Sequence, residues 1–183
     1  MKKFWFILLS TALIGLVGAF IWSVQDTRET SRGASQIEWV KLGKVAIDQP
    51  VPDFRFIDGN QKSRQFLLGK KTKILNFWAS WCGPCIQEIP SMAKMAHERR
   101  GQFEILAIAN DSDEKEFHKA LRLFPDFSRS EIEILFDPDK RVMKAYGVTG
   151  FPETFIISPE GLLIKKIVGP VEWDKLPPDF FKK

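Results

Sequence analysis

The chain has 183 residues, 44% of them hydrophobic, and its 27 basic and 23 acidic residues give a formal net charge of +4. The charge falls to +2 without Lys2 and Lys3, and the other charges are interspersed, which excludes a nucleic-acid-binding surface as the basis of function. About 140 residues remain after an N-terminal segment is set aside, enough for one well-formed core.

The N-terminal segment is apolar and follows two positive charges. Residues 4–24 form an uncharged run of 21 residues, long enough to cross a hydrocarbon core of about 30 Å as a helix. The flanking lysines predict a cytoplasmic N-terminus and an exported domain. We favour an uncleaved anchor; the alternative is a signal peptide cleaved after Val17-Gly18-Ala19, and both interpretations export the domain.

The sequence divides into three predicted parts: a transmembrane anchor (residues 1–25), a linker (26–42) and a folded domain (43–183). Residues 25–36 are polar and lack periodicity, which is typical of a tether. The domain opens with alternating strands at 53–57 and 63–66, joined by the turn Asp58-Gly59-Asn60.

The two cysteines lie in one pentapeptide, Trp81-Cys82-Gly83-Pro84-Cys85, between a predicted buried strand (74–78) and an apolar pattern of helical spacing. Cys82 is therefore expected at a helix N-terminus, where free N–H groups favour the nucleophilic thiolate. Cys85, one turn deeper, suits the resolving role. Such a dithiol predicts thiol–disulfide exchange.

A zinc site is the main alternative for a Cys-x-x-Cys pair, and it would need two further ligands. The two histidines, His97 and His118, are separated by 20 residues, unlike the closely spaced pair of a common zinc finger. We therefore expect neither a metal nor a cofactor.

After the motif, the pattern predicts further elements in alternation. Phe117, Ala120, Leu121 and Phe124 recur at helical spacing and are typical of a core-facing helix. The predicted elements are strand 104–109, helix 113–124, strand 133–136, helix 141–146, strands 154–157 and 162–168, and a short C-terminal helix.

Two segments resemble the thioredoxin superfamily. Residues 76–85 (Asn-Phe-Trp-Ala-Ser-Trp-Cys-Gly-Pro-Cys), with Pro90 after them, are similar to its active-site segment, and residues 150–155 (Gly-Phe-Pro-Glu-Thr-Phe) to its cis-proline segment. Over about residues 43–176 the chain most resembles the membrane-anchored TlpA, ResA and CcmG/DsbE branch. The resemblance implies an α/β thioredoxin-like fold, with a central mixed sheet flanked by helices, a TlpA-type helix–strand insertion and a transmembrane anchor in the inner membrane.

The resemblance also implies site residues. Glu88 stands where cytochrome c biogenesis reductases of this branch carry an acidic residue that assists proton transfer, and helical spacing puts it on nearly the same face as Cys85. An exposed glutamate near a helix start is the alternative. Asn76 replaces the buried aspartate of ordinary thioredoxins, so Glu88 is a candidate substitute. The predicted catalytic residues are thus Cys82, Cys85 and Glu88.

Substrate contacts are expected around the motif and the second segment. A cis Pro152 would present the backbone of Phe151 to an extended client peptide, although the residues alone fit a trans proline before a strand equally well. The predicted substrate-binding residues are Trp81, Gly83, Pro84, Phe151, Pro152 and Glu153.

Three functional hypotheses follow. The first is a periplasmic, membrane-tethered reductase that takes electrons from a membrane thiol donor and reduces disulfides of exported proteins, including the Cys-x-x-Cys-His of an apocytochrome c. The second is a general exported oxidase or isomerase, and the third is a non-catalytic peptide-binding module. A peroxidase ranks lower: residues 51–54 resemble peroxiredoxin openings, but Ala79 stands three residues before Cys82, where that family has Thr or Ser.

Overall fold

The computed structural model describes residues 37–40, 45–129 and 131–182, which belong to one compact unit, Ser35–Lys183. The predicted anchor (1–25) and the polar tether that follows it, up to residue 36, lie outside the described residues. Within the described part of the chain, no helix is both long enough and apolar enough to cross a membrane.

The described residues form eight strands, four α-helices and two short 3-10 helices. The strands are β1 (Ile37–Val40), β2 (Phe54–Ile57), β3 (Ser63–Gln65), β4 (Thr72–Trp78), β5 (Phe103–Ala109), β6 (Ile132–Phe136), β7 (Glu153–Ile157) and β8 (Leu163–Val168). The α-helices are α1 (Gly83–Glu98), α2 (Glu114–Leu123), α3 (Pro125–Arg129) and α4 (Arg141–Tyr146), and the 3-10 helices are Trp173–Lys175 and Pro178–Phe181.

The central sheet has five strands in the order β6-β5-β4-β7-β8. Strands β4, β5 and β6 run parallel, whereas β7 is antiparallel to both β4 and β8. The predicted mixed sheet is therefore confirmed. Residues 73–78 of β4 are all buried, because Ile74 and Trp78 face one apolar cluster while Leu75 and Phe77 face another across the sheet.

A second, three-stranded antiparallel sheet has the order β1-β2-β3. Strand β1 lies within residues 26–42, which the sequence assigned to the linker, and no strand was predicted there. Ile37 is buried and faces Phe56 across the pair, and its carbonyl accepts a hydrogen bond from Arg141 Nη1 at 2.9 Å. A strand of four residues is too short to produce a clear alternating pattern, and its partners are distant in the chain.

Helix α2 follows the predicted 113–124 pattern to within one residue at each end, because Asp113 caps its N-terminus and Phe124 its C-terminus. Helix α3 was not predicted. It begins at Pro125 directly after the end of α2, and proline is favoured in a first helical turn. The predicted C-terminal helix is instead two 3-10 helices, separated by Leu176 and Pro177, and Pro178 is the first residue of the second.

A candidate redox site at the start of helix α1

The two cysteines lie where β4 passes into α1 and are joined by a disulfide bond. Cys82 is the N-cap of α1, with extended backbone angles (φ −84°, ψ 100°), and its Sγ accepts a hydrogen bond from the Cys85 N–H at 3.3 Å. Pro84 occupies the first turn of α1, where backbone N–H groups have no acceptor within the helix. The missing N–H of proline therefore costs no hydrogen bond there. The predicted placement of Cys82 at a helix N-terminus is confirmed.

The two sulfur-bearing residues differ in exposure. Cys85 is fully buried, whereas Cys82 is 5% exposed, so Cys82 is the more accessible cysteine, as predicted. Gly83 and Pro84 are exposed, and Trp81 is 70% exposed. The side of the disulfide that faces solvent is thus bordered by the motif's own residues.

The loop before the motif is held by a carboxylate that the sequence analysis did not identify. Asp111, just after β5, is buried, and it accepts hydrogen bonds from the Ser80 N–H, at 3.0 and 3.1 Å to its two oxygens, and from the Ser80 hydroxyl. Both residues follow neighbouring parallel strands, whose carboxyl ends meet at one edge of the sheet. This anchor fixes the approach of the chain to Cys82.

The second predicted segment lies beside the motif. The Phe151–Pro152 peptide bond is cis, as the resemblance implies. The Phe151 ring meets the exposed Trp81 ring edge to face, with their centroids 5.7 Å apart, and Pro152 is buried. The structure therefore brings Trp81, Phe151 and Pro152 together next to the disulfide.

Glu153 follows Pro152 as the first residue of β7, and its carboxylate is buried. It forms an ion pair with Lys166 on β8 and accepts a hydrogen bond of 3.4 Å from the Thr149 N–H. The side chain therefore connects the loop at Thr149 to β8 and, being buried, is not exposed as Trp81 is.

Glu88 is 3% exposed, which rules out the alternative of a solvated glutamate near a helix start. Its Oε1 accepts from Asn76 Nδ2 at 2.8 Å, and its Oε2 accepts from the Val171 N–H at 3.0 Å. Asn76 also donates to Thr154 Oγ1 at 3.0 Å, so this buried polar chain links α1, β4 and β7. Thr154 and Val171 were not predicted, because nothing in their residue types signals a contact with Glu88.

Burial raises the pKa of Glu88 from 4.5 to about 6, because desolvation penalises the charged form more than its hydrogen bonds stabilise it. The Val171 N–H and the Asn76 amide lower this pKa. The Trp173 indole N–H also lowers the pKa of Glu88, although it does not lie in hydrogen-bond geometry with the carboxylate. Among the described residues, no cationic side chain pairs with Glu88, so its proton affinity stays high.

Glu88 is among the residues that line a groove of about 540 Å³ between α1 and residues 170–174. Within the described part of the chain, no group of three or more His, Cys, Asp or Glu side chains is arranged to hold a metal ion. The site itself presents two sulfurs and one carboxylate of raised pKa.

Comparison with known proteins extends this picture. Residues 47–166 match the AhpC/TSA family. The chain is 33% identical over 165 residues to the thioredoxin-like protein YneN of Bacillus subtilis, covering 89% of this chain and 88% of that protein. It is 32% identical over 134 residues to the thiol-disulfide oxidoreductase ResA of B. subtilis, covering 71% and 73% of the two chains.

A solved structure is also similar. The crystal structure of a putative thiol:disulfide interchange protein DsbE from Chlorobium tepidum superimposes with a TM-score of 0.62 at 27% sequence identity. The match covers 76% of this chain and 92% of the other.

Proposed function

Because the chain belongs to the AhpC/TSA family and is a thiol–disulfide oxidoreductase of the ResA and DsbE type, we propose that it reduces disulfide bonds in exported proteins. Its clients include the Cys-x-x-Cys-His segment of an apocytochrome c. The observation that carries the proposal is the Cys82–Cys85 pair at the start of α1, with the buried Glu88 one turn further along the same helix.

The reaction begins with the reduced form, in which Cys82 is a thiolate. The N-terminus of α1 and the Cys85 N–H, which already points at Cys82 Sγ, favour the negative charge. The thiolate attacks one sulfur of the client disulfide. A bond forms between Cys82 and that sulfur, the client disulfide breaks, and the other client sulfur leaves as a thiolate.

Resolution requires a second thiolate. Cys85 is fully buried, so its thiol needs a proton acceptor within the protein, and Glu88 on the same helix face supplies one. The Cys85 thiolate then attacks Cys82 and releases the second client thiolate, which is protonated by Glu88 or solvent. Two electrons pass from the cysteine pair to the client, and a membrane thiol donor restores the dithiol.

Clients bind across Trp81 and the neighbouring loop. Gly83 and Pro84 are exposed beside Cys82, and the half-buried Phe151 offers its backbone to an extended client segment as a strand-like partner. Pro152 shapes this loop. Glu153 contributes indirectly, since its ion pair with Lys166 holds the loop against β8.

Residues 1–25 form an uncleaved, single-pass anchor in the inner membrane, and the linker that follows it leads to the domain on the periplasmic side; the domain already includes β1 (Ile37–Val40). The support is the run of 21 uncharged residues at 4–24 after Lys2 and Lys3. This arrangement keeps the site near both a membrane donor and exported clients.

Trapping tests the exchange mechanism. Cys85→Ser removes the resolving thiol, so the Cys82–client disulfide should accumulate and be recovered from cells as covalent adducts that dissolve on reduction. The matched control is the Cys82→Ser/Cys85→Ser double variant, which has no attacking sulfur. If Cys85→Ser yields no more adducts than this control, Cys82 does not attack clients.

The redox potential of the pair distinguishes a reductase from the second candidate, an exported oxidase. A potential near or below about −230 mV, in the thioredoxin and glutaredoxin range, is expected. A value near about −120 mV, as in DsbA, would contradict the reductase assignment.

A further inference from the structure

The hydrogen bond from the Val171 N–H to Glu88 depends on a segment without regular secondary structure. Residues 170–174, called the tail segment here, follow β8; Pro170, Val171 and Glu172 belong to no helix or strand, and the 3-10 helix begins at Trp173. No sheet ladder therefore sets the direction of the Val171 N–H. Contacts between the tail segment and α1 must do so.

Ser91 on α1 makes two of these contacts, both to backbone atoms of the tail segment. Its hydroxyl lies 3.2 Å from the Val171 carbonyl oxygen and 2.9 Å from the Glu88 carbonyl oxygen, and its single hydrogen can go to either. The same oxygen accepts a hydrogen bond of 3.2 Å from the N–H of the fully buried Trp173. Ser91 lies one helical turn after Glu88. It therefore contacts the backbone of the tail segment on both sides of Glu172.

We propose that Ser91 is a positioning residue, which holds the Val171 N–H on Glu88 and thereby sets the protonation of that carboxylate during exchange. The catalytic part of this inference rests on the proposed role of Glu88 as the proton acceptor for Cys85. Ser91 itself touches neither sulfur. It acts through the tail segment.

The charged groups around Glu88 are paired with one another. Glu172 and Asp174 of the tail segment and Lys94 of α1 line the same groove. Lys94 pairs with Asp174 at 2.9 Å, and Glu172 pairs with Lys175 at 2.7 Å. From the sheet, β4 and β7 present the neutral side chains of Asn76 and Thr154. Cys85, a turn earlier on α1, is a further titratable neighbour, and it is held in the disulfide here.

Lys94 offers a matched control because its ion pair with Asp174 joins the same two elements as Ser91. Its side chain is 59% exposed, so water screens its charge from the buried carboxylate. Lys94→Gln therefore loosens the tail segment from α1 without removing the bridge between Ser91 and Val171.

The test is the titration of the Glu88 carboxyl, followed by carbon-13 NMR in the oxidised protein and assigned with Glu88→Gln. In Ser91→Ala the Val171 N–H is no longer fixed and the carboxylate loses a stabilising donor. We expect the midpoint to rise by about half a unit to one unit. Ser91→Thr, which keeps the hydroxyl, should restore the original midpoint, and Lys94→Gln should leave it in place.

The pH profile of thiol exchange provides the second readout, and its acid limb should move with the midpoint in Ser91→Ala. An unchanged or lowered midpoint in a folded Ser91→Ala protein overturns the positioning role, and so does an equal rise in Lys94→Gln. A raised midpoint of Glu88 with an unchanged pH profile of exchange supports the positioning role of Ser91. The same result refutes Glu88 as the proton acceptor in the proposed function.

Discussion

Strand β4 contributes a buried polar side chain to each of two sites, one on each face, and the carboxylates of the two sites have different partners: Glu104 is half-buried and Glu88 is buried. On one face the fully buried Lys73 donates to Glu104 at 2.7 Å, and Arg64 pairs with the same carboxylate. On the other face Asn76 donates to Glu88, whose second oxygen accepts from a backbone N–H. Alternation along the strand places Lys73 and Asn76 on opposite faces.

The difference lies in the charge of the donors. Glu104 is half-buried and neutralised by two cations, whereas Lys73 is fully buried and would be an uncompensated charge without Glu104, so we assign this site to stability. Glu88 has only neutral donors, and burial raises its pKa to about 6, which suits it to accept and return a proton near neutral pH. Local charge compensation therefore separates a structural carboxylate from one suited to chemistry.

The largest expected effect is on the structural side. Lys73→Ala removes a fully buried side chain together with its ion pair to Glu104 and leaves a cavity near Phe66, so unfolding in urea should show a loss of about 3 kcal/mol. The rate of thiol–disulfide exchange per folded molecule should equal that of the wild-type protein. As a control, Arg64→Ala removes a cation whose side chain is 41% exposed and should cost under about 1 kcal/mol. Equal losses in the two variants would contradict the structural role of Lys73.

The next effect is on the chemical side. Glu88→Gln keeps the shape of the side chain but removes the proton acceptor, so the resolving step should slow by about 100-fold at pH 7. The attack by Cys82 is unaffected, and the mixed disulfide should accumulate in single-turnover measurements with a disulfide peptide. In the wild-type protein the rate of resolution should fall as the pH drops below about 6, the pKa of Glu88, and Glu88→Gln should lack this limb.

Glu172→Gln is the matched control, because this carboxylate lines the same groove but its side chain is 72% exposed. It should exchange at the wild-type rate. Equal rates for wild type and Glu88→Gln between pH 6 and 9 would leave Glu88 without a part in exchange.

The two sites also differ in how far the sequence reveals them. The cysteine motif and α4 were predicted at their observed positions, because a local pattern of residue types determines each of them. The burial of Glu88 has no such local signal, since its partners Asn76 and Val171 lie 12 and 83 residues away. In the sequence, Lys73 is a charged residue in an apolar strand. Its pairing is evident only in the structure, where Glu104, 31 residues away, lies beside it. Spacing predicted which helix face Glu88 would share with Cys85, but its pKa depends on tertiary contacts.

The smallest of these effects is a dependence of stability on pH, which the raised pKa of Glu88 requires. Between pH 4.5 and about 6 the folded protein binds more protons at this position than the unfolded chain, so the stabilisation is complete below 4.5 and is lost as the pH rises through about 6. A shift from 4.5 to about 6 corresponds to about 2 kcal/mol.

Glu88→Gln cannot titrate, so its free energy of unfolding relative to wild type should increase by about that amount between pH 4 and pH 7, measured on the oxidised proteins. Lys73→Ala should show no such change in this range, because Glu88 still titrates in it as in wild type. A constant difference between Glu88→Gln and wild type over this range would mean that Glu88 is ionised as readily in the folded as in the unfolded chain, and the contrast between the two faces of β4 would then rest on geometry alone.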